Sequence, residues 1–283
     1  MENLRIRRFS RMYQFYRLNR FKWVNEDRDK KNWVVSNVYH QIRALYPGRV
    51  NEDADERIII NAEWPSFNGF RFKSPAEPFS TNPKTEITPC PSECDGWTKK
   101  EACRCTHMIN LEFGKTYDLV FTAMQDKSHM LHHPIHLHGH TMDILYAGYG
   151  NYQNGKLNPQ YSNNTKYNPI FECPPGKYCH KPEISNPEEL DRLIQSAEHG
   201  GRPSRRTTFH LPTQGFIVAR LKADNPGIWL AHCHMMMHHE EGMAFLLNVT
   251  DKGVPKLPHG FPKCPNFNEP GDLESSLVSF DSI

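Results

Sequence analysis

The stretch His232-Cys233-His234-Met235-Met236-Met237-His238-His239-Glu240-Glu241-Gly242-Met243 decides how the rest of the chain is read. It sets one cysteine between two histidines, a third histidine five residues after the cysteine, and a methionine five residues beyond that. Thiolate, imidazole and thioether make up the ligand set of a blue-copper centre, in which two His and one Cys form a plane and a Met sits weakly on the axis. One planar histidine is still missing, while His232 and His234 are surplus to that site.

The missing ligand comes from a second stretch, His132-His133-Pro134-Ile135-His136-Leu137-His138-Gly139-His140, which runs into a strand at Thr141–Ala147. Side chains on a strand alternate faces with period two. His136 and His138 therefore share one face and His133 takes the other; His232 and His234 share one face and Cys233 takes the other. Laid side by side, the two stretches sort their ligands into two sets. One is His133 and Cys233, completed by His238 and Met243 returning from the following loop; the other is His136, His138, His232 and His234. Four imidazoles suit a second, harder copper site. A lone His-x-His is ordinarily a packed or solvated pair, and a lone Cys a buried thiol; the joint parity argues against both. Zinc hydrolysis is the nearest metal rival, but its sites use three protein ligands and an open position without an axial thioether. His129, His132, His140, His210 and His239 are read as packing or ligand-orienting groups, and Met235–Met237 as core fillers.

Around these stretches the pattern is one of short strands. Arg57–Asn61, Ile109–Phe113, Tyr117–Phe121, Phe209–Leu211, Phe216–Leu221, Ile228–Ala231 and Ala244–Val249 are β-branched, aromatic or alternating,. Phe67–Phe72 reads as a hairpin turn, and Gly114-Lys115 as a turn pairing the segments on either side,. Residues 150–206 form a long insertion with one helix, capped by Asn186, with Pro187 in its first turn, Glu189 at the capping-box position, Gly200 as its stop, and an apolar stripe of Leu190, Leu193, Ile194 and Ala197,. The fold class is all-β: a Greek-key sandwich with a long loop-and-helix insertion. The expected division is 1–55 as an N-terminal segment of unassigned structure, 56–265 as the metal-binding domain, and 266–283 as a loose acidic tail.

The chain has 283 residues and a net charge of +2, which gives no case for nucleic acid or an anionic membrane as partner,. No apolar run approaches the roughly 18 residues of a membrane span. Eight cysteines fall by spacing into Cys90/Cys94, Cys103/Cys105 and Cys173/Cys179, with Cys233 and Cys264 apart. Loop-borne cysteines at this density suit an oxidising compartment, although short spacings also make zinc sites; Pro91 and Gly96 favour a cross-linked loop, with its connectivity open. If Cys233 binds copper, an odd number is left. Asn163-Asn164-Thr165 and Asn248-Val249-Thr250 are acceptor sequons of a glycoprotein,. Residues 1–24 are basic but lack the apolar core of a signal peptide,. An extracellular composition without a leader leads to the expectation that the N-terminus is incomplete.

These stretches resemble a known family. His133–His140 is similar to the HPxHLHGH motif of multicopper oxidases, His232–Met243 to their HCHxxxHxxxGM motif, and Ala223–Trp229 to the turn that precedes it. The cysteine loop Cys90–Cys105 and the ending Phe261-Pro262-Lys263-Cys264 resemble the laccase-like branch found in invertebrate animals. The resemblance implies the third, C-terminal cupredoxin domain of such an enzyme. It assigns His133, Cys233, His238 and Met243 to type 1 copper, His136 to type 2 copper, and His138, His232 and His234 to the type 3 pair, with Cys233 and its two flanking histidines as the electron path. It further implies one-electron oxidation of a small-molecule reductant (a diphenol, an aromatic amine or ferrous iron) coupled to reduction of dioxygen to water. Asp143, Glu240 and Glu241 near the motifs keep a cation open as substrate.

The family's trinuclear cluster uses eight histidines, half of them from two His-x-His motifs in a first domain, and no further His-x-His occurs in this chain. The expectation is thus a type 1 site and half a trinuclear site, to be completed by upstream cupredoxin domains or a distinct partner; Cys264 would pair with the absent part. The alternative is a one-domain copper-binding, electron-transfer protein with no oxygen chemistry of its own. Either is expected outside the cell.

Overall fold

The computed structural model of the chain describes residues 53–92, 94, 103–124, 132–150, 152–153, 156–157, 170–173, 179–199, 203–250 and 253–259. Nearly all of the expected N-terminal segment, the acidic tail, Cys264, His129, Gly200 and the Asn163 sequon lie outside them.

Two sheets face each other across one apolar core. The larger contains β13 (Ser204–Arg206), β8 (Met142–Gly148), β15 (Phe216–Lys222), β6 (Thr116–Thr122), β1 (Glu56–Glu63) and β2 (Ser66–Phe67), in that spatial order. The second runs β14 (Thr208–Leu211), β7 (His133–Leu137), β16 (Gly227–Cys233), β17 (Ala244–Val249) and β5 (Met108–Asn110). Within these two sheets pairing is antiparallel except for β1 with β6 and β17 with β5; two short antiparallel pairs, β9 (Tyr152–Gln153) with β10 (Lys156–Leu157) and β11 (Phe171–Glu172) with β12 (Glu183–Ile184), belong to the insertion. This is the expected all-β sandwich.

Strand β6 shows why the sequence folds this way. Tyr117, Leu119 and Phe121 enter the core between the sheets, while Val120 faces a second apolar cluster on the outer side. That cluster is supplied by the insertion: α1 (Pro187–His199) lays Leu190 and Ile194 over the sheet. Asn186 accepts a hydrogen bond from the Glu189 amide, so the expected N-cap forms,. A strand covered on both faces loses the polar alternation of a half-exposed one. The charged residue it retains, Asp118, is buried and pairs in fork geometry with buried Arg220 directly across on β15, at 2.7 and 2.9 Å.

Two expectations about connectivity need correction. Segments β5 and β6 do not pair back on one another; they belong to opposite sheets, and Gly114, at φ +90°, makes the crossing with its amide bonded to the Ala223 carbonyl. Strands β14 and β15 are separated in the same way. The turn Phe67–Phe70 forms, with Asn68 and Gly69 both at positive φ, but its arms diverge. Strand β2 pairs with β1, whereas β3 (Arg71–Phe72) pairs with β4 (Arg104–Cys105). Turn chemistry is local; which sheet accepts the next strand depends on where apolar surface is left to cover.

Cysteine connectivity is nested, Cys90–Cys105 and Cys94–Cys103, rather than between near neighbours, and Cys173 pairs with Cys179. These thiols are engaged in disulfides, so the zinc reading of the loop fails. Among the described residues Cys233 is the free thiol, and it is buried.

Candidate metal centre

Strand β16 lies between β7 and β17, and its register opposite β7 sets the geometry of the site. His232 faces His136, Cys233 faces Ile135 and Ala231 faces Leu137. Equal parity then puts His136, His138 and His232 on one side of the sheet, and Cys233 on the other with His133. After Cys233 the chain forms α2 (Met236–Glu241), where a loop was expected. This turn and a half carries His238 back over the thiol. Gly242, at φ +116°, ends it, and Met243 leads into β17.

The first group is His133, Cys233 and His238. His133 and Cys233 are fully buried and His238 is 5% exposed. Cys233 Sγ lies 3.8 Å from His133 Nδ1 and 3.6 Å from His238 Nδ1, and the two nitrogens are 3.3 Å apart. A first-row ion about 2.0 Å from nitrogen and about 2.3 Å from sulfur would need edges of about 3.3–3.8 Å. The triangle fits such an ion without rearrangement. Met243 is fully buried in the same cluster, with its amide bonded to the His238 carbonyl and its carbonyl accepting from the Cys233 amide.

The electrostatics are those of a metal-ready pocket. Burial, aided by the charge of His238, pushes His133 down to about 3, and burial lowers His238 as well. Both imidazoles are therefore neutral near pH 7, the form that ligates. Burial raises the Cys233 thiol to about 11, so without a cation the sulfur keeps its proton. A soft cation would displace that proton, and this donor set suits one.

The second group is more open. His136, His138 and His232 offer nitrogens within 4.8 Å of one another, with His138 exposed and His232 at the burial limit. His136 Nδ1 donates to the Thr207 carbonyl at 3.0 Å and lies 2.7 Å from Thr208 Oγ1; His232 Nδ1 donates to the Cys233 carbonyl at 2.9 Å. Carbonyls accept only, so both rings carry the proton on Nδ1 and leave Nε2 as the donor atom for a metal. His138 Nε2 sits 3.2 Å from His232 Nε2. Burial takes His232 down to about 4 against the raising effect of its Cys233 contact, and burial together with neighbouring histidines lowers His138. The His234 ring lies 5.6 Å from His136 and 5.7 Å from His232.

Six of the eight residues singled out from the sequence thus meet in two groups back to back on β7, β16 and the turn after them; the His234 ring stands beside the second group, and Met243 is buried in the same core cluster as Cys233. Other expectations need adjustment. His140 packs edge-on against Trp229, and His132 stacks on His210, as packing groups should. His239, set aside in the sequence reading, stacks on His232 at 4.5 Å and joins the histidine face. Met235, Met236 and Met237 are not core fillers: they are 40, 75 and 76% exposed, because α2 turns its first residues outward. The carboxylates that kept a cationic substrate open are largely spoken for, Asp143 by a fork with Arg205 and Glu241 by Arg71. Trp64, whose ring lies 6.1 Å from His238, and Arg71 were not anticipated; no spacing rule connects residues so distant in sequence.

The sequence profile of the multicopper oxidases matches residues 76–253. Laccase-1 of Arabidopsis thaliana is 28% identical over 164 residues, which cover 56% of this chain and 22% of that protein. Putative laccase-11 of Oryza sativa subsp. japonica is 30% identical over 167 residues, covering 56% and 23% respectively. Among solved structures, the laccase from Botrytis aclada aligns at a TM-score of 0.41 and 18% identity over 71% of this chain and 29% of its own. The chain spans less than a quarter of the length of these two curated relatives.

Proposed function

Because the chain belongs to the multicopper oxidase family, we propose that it carries the electron-entry half of a laccase-like oxidoreductase, within a copper domain at residues 56–265. The observation that carries this reading is the buried triangle of Cys233, His133 and His238, directly behind a face of histidines. His133, Cys233, His238 and Met243 would hold type 1 copper. His136 would hold type 2 copper, and His138, His232 and His234 the type 3 pair. Bound copper would supply a one-electron couple at the sulfur site and, with the cluster's other four histidines in place, dioxygen reduction to water at the histidine face.

The protein's own residues prepare both halves. Burial keeps His133 and His238 neutral and excludes water from the thiol. Carbonyl contacts fix the tautomers of His136 and His232. Cys233 is joined to His232 and His234 by single peptide units, so the two groups communicate through covalent bonds rather than across a gap. Trp64 stands beside buried His238; as reductants, diphenols and aromatic amines suit that neighbour better than ferrous iron does, given the pairing of Asp143 and Glu241. In balance, four reductant molecules each lose one electron while dioxygen takes four electrons and four protons to give two waters. The disulfides favour an extracellular setting,.

A second reading is electron transfer without oxygen chemistry. It is favoured by the exposure of His138, which leaves the histidine face open on one side. Titrating the full chain with cupric ion separates the possibilities. The intense visible absorption of a copper thiolate is expected, and Cys233→Ser should abolish it with far-UV circular dichroism unchanged. A colourless wild type sinks the type 1 assignment. Dioxygen uptake with a diphenol once a domain bearing the cluster's other four histidines is supplied supports the oxidase; a blue chain without uptake even then supports the second reading.

A further inference from the structure

The loop that joins two of the expected copper ligands, His238 and Met243, cannot hold its own shape. Helix α2 has six residues, and its N-cap, Met235, makes no side-chain cap bond. Isolated helices shorter than about 12 residues are marginal in water. The loop must be fixed from outside, and it is fixed by a distant strap. Strand β3 crosses its C-terminal end: the Phe72 amide donates to the Gly242 carbonyl at 2.8 Å. Arg71 Nε donates to the Glu241 carbonyl at 3.0 Å, and its Nη2 meets the Glu241 carboxylate at 2.5 Å. The Arg71 side chain is only 12% exposed. The approach is close enough that a Cβ on Gly242 would lie 3.0 Å from both Arg71 Cβ and the Phe72 nitrogen.

The strap is itself tied down. The Arg71 amide donates to the Cys103 carbonyl and the Lys73 amide to the Cys105 carbonyl, pairing β3 with β4. Strand β4 carries one end of the Cys90–Cys105 disulfide and follows directly on the Cys94–Cys103 bridge. A continuous chain of contacts therefore runs from the nested disulfides through β4 and β3 to the turn between His238 and Met243.

We propose that Arg71 is a positioning residue for the metal centre: it locks the Glu241–Gly242 turn, and through it sets where His238 and Met243 stand relative to Cys233. It acts through the carbonyl and carboxylate of Glu241, and so through the backbone of the turn. The inference rests on the type 1 reading of that site. A cation at Glu241 also complements the carbonyl end of α2, and the two-point grip of a guanidinium on one carbonyl and one carboxylate is not available to lysine.

The test uses the full chain, loaded with cupric ion, as wild type, Arg71→Met and Arg71→Lys. Methionine keeps the packing of the stem and removes both contacts. Supporting residues around metal ligands typically contribute 10- to 100-fold in affinity. The expected result is a copper affinity at least tenfold weaker in Arg71→Met, with a shifted copper-thiolate band and altered copper hyperfine splitting, while far-UV circular dichroism of the metal-free protein is unchanged. Arg71→Lys should lie between. Equal affinity and an identical spectrum in Arg71→Met overturn the proposal while leaving the site reading intact. A wild type with no copper-thiolate band overturns the site reading, and this inference with it. Should Arg71→Met fail to fold, Arg71→Lys decides: an unaltered band and affinity overturn the proposal, and a weakened, shifted site supports it.

Discussion

At the scale of single residues, one polar side chain deep in the core rivals the candidate copper ligands in consequence. Asn61 is fully buried on β1. Its Nδ2 donates to the carbonyls of Met124 and Cys179 at 3.0 and 2.5 Å, and its Oδ1 accepts from Thr122 Oγ1 and the Met124 amide at 2.8 and 2.9 Å. Both ends of the amide are thus satisfied, and two segments far apart in sequence converge on it: the end of β6 with the residues just after it, and Cys179. Removing the side chain strands several buried partners at once, each of which bears its own desolvation cost. Asn61→Ala should lower unfolding free energy by about 3 kcal/mol in chemical denaturation; a change within experimental error of zero would show that water replaces it. Nothing in the residue pattern marks Asn61, because an asparagine in a strand reads as a weak strand former. By contrast His133, Cys233, His238 and Met243 were legible, since ligand chemistry restricts residue types and the strand period restricts faces.

At the scale of elements, α1 shows what an insertion can do away from the chemistry. It covers the outer face of the larger sheet, with Leu190 fully buried there beside Phe171, Phe216 and Val218. The metal groups lie on the other sheet, across the central core. Leu190→Ala should therefore cost about 2–5 kcal/mol of stability by leaving a cavity, while the copper-thiolate absorption of the loaded protein stays as in wild type. Loss of the band in a folded Leu190→Ala protein would mean that the two sheets are more tightly coupled than the layered arrangement implies. This helix was readable from its Asn186 cap and its 3.6-residue stripe. Helix α2 was not: six residues containing two adjacent methionines and two adjacent histidines have no period to read, and the turn exists because β3 and β17 hold its ends.

At the scale of the whole molecule, acid is the natural weakness. His107 joins β4 to β5, is 8% exposed, and packs between Phe70 and Phe245 with Nδ1 unbonded. Burial first, and the charge of Lys181 second, hold it down at about 4 against an ordinary 6.5. The folded protein thus binds fewer protons at this site than the unfolded chain between those two values. Stability from His107 is intact above pH 6.5 and is lost as pH falls toward 4, by about 3 kcal/mol in total. The metal-free protein should melt at progressively lower temperature across that window, with His133 and His232 contributing in the same direction. His107→Phe should flatten part of the dependence; an unchanged slope in calorimetry from pH 7 to 4 would show that this imidazole finds a partner when charged.

The sequence by itself determined the chemistry: which atoms can ligate, on which face each one stands, and that short alternating segments must close into a two-sheet sandwich. These are local rules of side-chain chemistry and strand period, and His133, Cys233, His136 and His232 obey them within a few bonds of their own backbone. Only the tertiary structure decided which sheet each strand joins, that the cysteines nest as Cys90–Cys105 and Cys94–Cys103, that Met235–Met237 face outward, and that Arg71 grips the turn before Met243. Those outcomes depend on which apolar surfaces and backbone groups are still unmet once the other elements have packed, a competition among residues more than a hundred positions apart that no local pattern records.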